Sequence, residues 1–177
     1  MVRYGEGVFI GYRWYDAVGL AVRYPFGHGL SYTSFEYADL RIDDVDRDAG
    51  VVQLSLTVRN TGTRTGAEVV QVYVGDSHSV VRRPLRELRA FEKVTLAAGE
   101  QVRVRIELSN RDFAYYDVVA GAWRRQGGEF RIEVGASSRD LRLEATVELP
   151  DDDRIPALVP DDELADIVRR GSVAHRE

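Results

Sequence analysis

The sequence predicts an all-β fold, an antiparallel β-sandwich. From residue 35 to residue 149, apolar and polar residues alternate with a period of two in several short runs, which is the pattern of half-buried strands. Turn-forming residues separate these runs, and no segment among them keeps a helical period. Seven or eight strands result, a number and a spacing that are typical of a sandwich.

Three runs show the alternation most clearly. In residues 52–58 four apolar residues alternate with three polar ones, so one face of the strand is buried and the other meets water. Residues 102–108 and 141–149 repeat the pattern, and residues 130–134 form a shorter version. Residues 69–74 are more continuously apolar, which predicts a strand that is covered on both faces and lies centrally in its sheet.

Short stretches between the runs supply the turns that antiparallel strands need. They lie at residues 60–62, 75–76, 98–100, 127–128 and 137–138, and each contains Gly, Asn, Asp or Ser. Glycine accepts a positive φ, and the polar side chains cap turns through hydrogen bonds to the backbone.

Residues 1–34 differ from the strand region, because they are rich in glycine and aromatic residues and have no clear period. In isolation such a segment would be mostly loop. Apolar patches of this size usually mark an interface, so we predict an irregular extension that packs on another part of the protein. Its aromatic residues are Tyr4, Phe9, Tyr12, Trp14, Tyr15, Tyr24, Phe26 and Tyr32.

Residues 150–177 are predicted to form an acidic tail with a short helix. The tail begins with three aspartates after Pro150, and residues 161–170 have the marks of a helix. Asp161 suits the N-cap and Gly171 suits the stop. The apolar face of this predicted helix consists of Leu164, Ile167 and Val168.

Composition excludes several classes of function. The chain has no cysteine, which removes disulfides and thiolate metal sites. Its net charge of -5 and pI of about 5.3 argue against a nucleic-acid partner, since phosphate binding needs a positive field. No secretory signal and no apolar stretch long enough to cross a membrane is visible, so we expect no membrane partner, and the compartment stays open.

Two clusters of chemistry-bearing residues are expected to be ordinary surface loops. Residues 44–48 begin like a calcium loop, but Ala49 and Ser55 stand where that loop needs glycine and glutamate. Residues 76–78 place Asp, Ser and His side by side, whereas a catalytic triad is assembled across a fold. We therefore predict solvated turns at both places.

No catalytic residue, metal site or cofactor site is predicted. The chain has 29 acidic residues, and most lie at exterior or turn positions, so no pair of carboxyl groups stands out as catalytic. His28, His78 and His175 are far apart and lack the spacing of a metal site.

Exposed aromatic rings could instead form a sugar-binding platform, because an aromatic face stacks on apolar surfaces of ligands. Trp123 and Tyr116 are the main candidates, with Trp14 and Tyr115 as further ones. The alternative is structural: Tyr115 and Tyr116 straddle a strand, one inward and one outward, and Trp123 covers a sandwich edge. The residues alone leave both interpretations open.

Two blocks of sequence resemble a known family. Residues 6–16 (EGVFIGYRWYD) and residues 25–33 (PFGHGLSYT) resemble the segment that closes the second, α/β domain of family 3 glycoside hydrolases of the β-glucosidase type. The blocks downstream look like the fibronectin type III-like domain that follows in many of those enzymes. They are residues 58–62 (VRNTG), 66–74 (GAEVVQVYV), 83–91 (RPLRELRAF) and 96–100 (LAAGE).

The resemblance implies a fold and a role. The fold is a fibronectin type III-like, immunoglobulin-like sandwich over residues 35–149, preceded by the end of an α/β domain over residues 1–34. The family's catalytic Asp and Glu lie upstream of the blocks seen here, so the chain alone is expected to be inactive. The parent enzyme is expected to hydrolyse β-linked glycosides with retention. The expected partners are the catalytic domains of that parent, and possible carbohydrate ligands. Residues expected at the junction are Tyr12, Arg13, Trp14, Tyr15, Asp16, Phe26, His28 and Tyr32.

A second hypothesis is a freestanding module that binds carbohydrate or another protein, because a sandwich fold does not by itself determine function.

Overall fold

The described part of the chain contains three antiparallel sheets. The computed structural model describes residue 5, residues 7–76 and residues 78–155, with two short helices among the strands. The helices are α1 (Tyr12–Ala17) and α2 (Asn110–Phe113). The strands are β1 (Phe35–Asp46), β2 (Val51–Asn60), β3 (Gly66–Asp76), β4 (Glu87–Leu96), β5 (Gln101–Leu108), β6 (Tyr115–Asp117), β7 (Ala122–Arg125), β8 (Gly128–Ser137), β9 (Asp140–Leu149) and β10 (Asp152–Ile155).

Two of the sheets face each other and enclose one core. The first has the strand order β1-β2-β5 and the second β4-β3-β8-β9. Alternate residues of β2 point inward, as the sequence predicts, and meet apolar residues of β3 and β8. Each fully buried aliphatic side chain stabilises the fold by about 1.5–3 kcal/mol. The centre of this core includes Leu54, Leu56, Val72, Val74, Ile132 and Val134.

Strand β3 is central and covered on both faces, which confirms the prediction for residues 69–74. It pairs with β4 on one side and with β8 on the other. Val72 and its alternate neighbours face the core, whereas Gln71 and Tyr73 are buried on the opposite face. A strand that is hidden from water on both sides loses the simple alternation of polar and apolar residues.

A small third sheet, ordered β10-β7-β6, lies at one end of the sandwich. Its strand β10 falls where the sequence predicts only an acidic tail. Arg125 explains the pairing, because its buried side chain donates to the carbonyl oxygen of Pro150 at 2.9 Å and contacts Asn110. Asn110 in turn donates to Asp152 at 2.6 Å. Polar contacts thus hold β10 in place, and hydrophobic periodicity could not indicate this strand. The helix predicted at residues 161–170 lies outside the described residues.

Helix α1 interrupts the N-terminal region that the sequence predicts as mostly loop. Its first turn is formed when the amides of Trp14 and Tyr15 donate to the carbonyl oxygen of Gly11, at 3.1 and 3.2 Å. A helix of six residues is too short to be stable alone. Contacts with the sandwich must therefore hold it.

The acidic stretch at residues 44–48 spans the end of β1 and the start of the turn into β2, so the prediction of a turn is wrong for residues 44–46, which pair with β2. The Asp46 carboxylate accepts a hydrogen bond from the amide of Ala49 at 2.8 Å, which closes the turn. Across the described ranges, no group of three or more His, Cys, Asp or Glu side chains is arranged to hold a metal ion. No helix within those ranges is long and apolar enough to cross a membrane.

Candidate domain interface

Residues 7–34, here called the N-terminal segment, lie across the outer face of the four-stranded sheet. The side chain of Gln71 on β3 donates to the carbonyl oxygen of Gly27 at 3.1 Å. The amide of Ser138, in the turn after β8, donates to the carbonyl oxygen of Phe26 at 2.9 Å. Backbone groups of the segment are therefore paired with the sheet that it covers.

Gln71 is rigidly held beneath this segment. Its amide nitrogen also donates to the carbonyl oxygen of Ala136 at 2.7 Å, and its amide oxygen accepts from the Tyr73 hydroxyl at 2.6 Å. Gly27 has φ +81° and approaches so closely that a β-carbon there would collide with the Gln71 amide. Only glycine fits at position 27 without displacing this buried network.

Tyr12 is the main aromatic anchor of helix α1. Its ring stacks on Phe26 at 4.5 Å between centroids and meets the edge of buried Tyr73 at 6.2 Å. Its hydroxyl oxygen accepts a hydrogen bond from the amide of Leu88 at 2.9 Å. One side chain thus joins the helix to β3 and β4.

Glu87, at the start of β4, is the centre of an arginine cluster. It is only 9% exposed, and its carboxylate lies 3.2 Å from Arg13, 3.3 Å from Arg83 and 2.7 Å from Arg89. Burial lowers the pKa of the Arg89 guanidinium, and the charge of Glu87 opposes that shift. The Glu87 carboxylate therefore connects the N-terminal segment, through Arg13, to the start of β4.

Asp16 makes the second ionic connection. Its carboxylate accepts a hydrogen bond from Arg139 at 2.9 Å and lies 3.6 Å from Arg86. Arg86 also binds Glu133 through two contacts of 2.8 and 3.3 Å. Burial would lower the pKa of Arg86, but the hydrogen bond and charge of Glu133, with the charge of Asp16, raise it above its ordinary value.

The opposite side of the N-terminal segment faces solvent. Trp14 is 44% exposed and Tyr32 is 94% exposed. The segment therefore has two faces, one packed on the sandwich and one presenting apolar surface outward. Other exposed apolar residues on it are Val8, Ile10, Tyr15, Val18, Leu20, Tyr24, Phe26 and Leu30.

The structure divides the eight residues that the sequence predicts for a junction into three sets. Tyr12, Arg13, Asp16 and Phe26 contact the sandwich or each other. His28 is exposed and stacks on Tyr24 at 5.4 Å within the segment. The remaining three point outward: Trp14, Tyr15 and Tyr32.

The aromatic rings predicted as a possible sugar-binding platform are only partly accessible to a ligand. The guanidinium of Arg111 lies 3.8 Å from the centroid of the Trp123 ring, and Tyr116 meets that ring edge-on at 5.5 Å. Tyr116 is half exposed, and Tyr115 beside it is partly buried. One face of Trp123 is therefore occupied by a cation, while Tyr116 keeps an accessible ring.

Comparison with known proteins identifies this architecture. Residues 68–138 match the fibronectin type III-like domain family. The chain is 48% identical to thermostable beta-glucosidase B of Acetivibrio thermocellus over 147 residues, which is 82% of this chain and 20% of that protein. The chain matches the C-terminal, fibronectin type III-like part of the family 3 β-glucosidases. This fibronectin type III-like part is an accessory domain of those hydrolases.

Two further proteins are similar to this chain over most of its length. A crystal structure of a GH3 beta-glucosidase from Bifidobacterium adolescentis superposes with a TM-score of 0.81 at 39% identity, covering 96% of this chain and 25% of that one. An exo-alpha-(1->6)-L-arabinopyranosidase of Bifidobacterium breve is 45% identical over 157 residues, or 89% of this chain and 20% of that protein. The chain spans about a fifth of the length of these curated relatives.

The sequence alone does not indicate which residues of the sandwich contact the N-terminal segment. Gln71, Arg86, Glu87 and Glu133 all lie within the matched domain, and the segment that they hold lies before it. One signal was available: Gln71 interrupts an otherwise apolar strand, and a buried polar side chain normally has hydrogen-bonding partners.

Proposed function

We propose that this chain is the accessory, structural end of a β-glucosidase-type glycoside hydrolase and is not catalytic on its own. In this proposal the parent enzyme hydrolyses β-linked glycosides with retention, as the resemblance implies, and its catalytic carboxyl groups lie outside this chain. The observation that carries the proposal is the two-faced N-terminal segment, which is anchored on the sandwich by Tyr12, Arg13 and Asp16 and exposes Trp14 and Tyr32 on its other side.

The exposed face has the composition of a protein interface. Burying apolar surface stabilises an association by about 25 cal/mol per Å² before the costs of ordering are subtracted. Tryptophan and tyrosine are the residues that most often dominate such interfaces, and Trp14, Tyr15 and Tyr32 are of these types. The catalytic domains of the parent are the partner that best accounts for this surface, because the matched relatives are about five times longer than the aligned part.

Hydrolysis of a chromogenic aryl β-glucoside tests the proposal directly. The chain alone is expected to give no turnover above the buffer rate. We call the part of the A. thermocellus enzyme outside the matched 147 residues the catalytic remainder. Adding the chain to this remainder is expected to raise its melting temperature and its activity. Turnover by the chain alone, or no effect at saturating chain, would contradict the proposal.

Replacing Trp14 with alanine should weaken this association about 30-fold, because loss of an interface hot spot costs about 2 kcal/mol. Isothermal titration calorimetry of the chain with the catalytic remainder measures the change. Gln53→Ala is the control, since Gln53 is exposed on β2 of the opposite sheet. Equal affinity of the two variants would show that the outward face of the segment takes no part in binding.

The alternative, a freestanding carbohydrate-binding or protein-interaction module, has weaker support. Its best feature is the exposed ring of Tyr116, because Arg111 covers one face of Trp123. Binding of β-glucan oligosaccharides that is lost in Tyr116→Ala, together with no binding to the catalytic remainder, would favour this alternative.

A further inference from the structure

We propose that a groove on the sandwich, separate from the outward face of the N-terminal segment, receives an acidic and partly apolar stretch of the parent's catalytic domains. This inference rests on the proposed function. The groove, here called the hairpin groove, has a volume of about 510 Å³ and lies between the N-terminal segment and the hairpin of β6 and β7. Its walls include Val8, Arg13, Arg82, Arg89, Tyr116 and Val119.

The tip of the hairpin is apolar and yet well ordered by hydrogen bonds. Val118 is 82% exposed and Val119 is 94% exposed. The Asp117 carboxylate accepts hydrogen bonds from the amides of Val119 and Ala120 at 2.9 and 3.1 Å, and it lies 3.0 Å from Arg124. These hydrogen bonds lower the pKa of Asp117. A tip that is fixed in place with two valines in water is pre-organised for burial against a partner.

The charges of the groove indicate what kind of partner fits. Arg13, Arg83 and Arg89 share the single carboxylate of Glu87, and Arg83 has one further contact of 3.5 Å, with Asp76 outside the groove. Asp117 is already paired with Arg124. The positive charge of the groove therefore exceeds its negative charge, so an acidic partner is favoured.

One guanidinium group of the groove, that of Arg82, is accessible to such a partner. Arg82 is exposed and its guanidinium lies 4.7 Å from the Phe9 ring centroid, and it forms no ion pair within the described residues. A carboxylate from a partner would supply the ion pair that this guanidinium lacks among the described residues.

The groove is continuous with the N-terminal segment, because Val8 and Arg13 belong to that segment and also line the groove. A protein that covers the outward face of the segment therefore reaches the hairpin without a gap. The valine tip and the cation-covered Trp123 make the groove less suited to a sugar, whose hydroxyl groups need polar partners.

Titration calorimetry of the chain with the catalytic remainder tests the inference. Val119→Asp and Arg82→Glu are each expected to raise the dissociation constant about tenfold, which corresponds to about 1.4 kcal/mol. Arg105→Glu is the charge-matched control, since Arg105 is exposed on β5 of the opposite sheet. Added NaCl should weaken binding of the wild-type chain more than binding of Arg82→Glu, because salt screens the lost charge pair.

The outcomes separate the inference from the proposed function. If Trp14→Ala weakens binding while Val119→Asp and Arg82→Glu bind like the wild type, the groove is not part of the interface and the proposed function stands. If the wild-type chain does not bind the remainder, both fail. If Val119→Asp instead abolishes self-association of the chain in gel filtration, the groove is a contact between copies and the inference is wrong.

Discussion

Glu87→Gln should lower the free energy of unfolding of the chain by about 3–5 kcal/mol, the usual cost of removing one partner from a buried ion pair. The substitution keeps the size of the side chain but removes the charge that three guanidinium groups share, those of Arg13, Arg83 and Arg89. Arg83 would be left nearly buried with Asp76 as its nearest carboxylate, 3.5 Å away. Urea unfolding followed by circular dichroism measures the loss.

Glu92→Gln is the matched control for this experiment, because Glu92 lies on the same strand and is exposed to water. Its removal should change the free energy of unfolding by less than about 0.5 kcal/mol. If the two variants were equally stable, the arginine cluster would contribute nothing through its shared carboxylate.

Gly27→Ala is expected to release the N-terminal segment from the sheet at a cost of about 2–5 kcal/mol. A left-handed backbone costs an alanine about 1–2 kcal/mol, and overpacking adds about 1–3 kcal/mol. The new methyl group would meet the Gln71 amide, which cannot move aside without losing its hydrogen bonds to Ala136 and Tyr73.

Amide hydrogen exchange at Ser138 reports this release, because that amide donates to the carbonyl oxygen of Phe26 at 2.9 Å. Exchange should accelerate about 30-fold or more, as 1.4 kcal/mol corresponds to a factor of ten. Gly29→Ala is the control, since a β-carbon there meets nothing within 4 Å. Slow exchange in Gly27→Ala would mean that the segment stays docked despite the collision.

Hydrophobic periodicity was enough to predict the sandwich. Residues 52–58 alternate because β2 has one face in the core, and residues 69–74 do not alternate because β3 is covered on both faces. The aromatic richness of residues 1–34 likewise indicated a segment in need of a surface. The strand predictions succeed because the buried faces of each strand determine which of its residues are apolar, and this pattern is visible in the sequence.

Polar contacts between distant parts of the chain could not be predicted in this way. Strand β10 depends on Arg125, whose partners Asn110 and Pro150 are 15 and 25 residues away. The choice of Glu87 as the shared carboxylate likewise depends on three-dimensional proximity to Arg13, far away in sequence. With 29 acidic residues in the chain, composition offered no means of singling it out.

The buried outer face of β3 and β8 limits how this sandwich can be transferred from one gene to another. Gln71, Tyr73 and Glu133 lie beneath or beside the N-terminal segment and are almost inaccessible to water. A recombination event that transferred residues 35–155 alone would expose this surface in the recipient. The sandwich and the N-terminal segment therefore form one structural unit, and a gene fusion that preserves the fold must carry residues 7–34 together with residues 35–155.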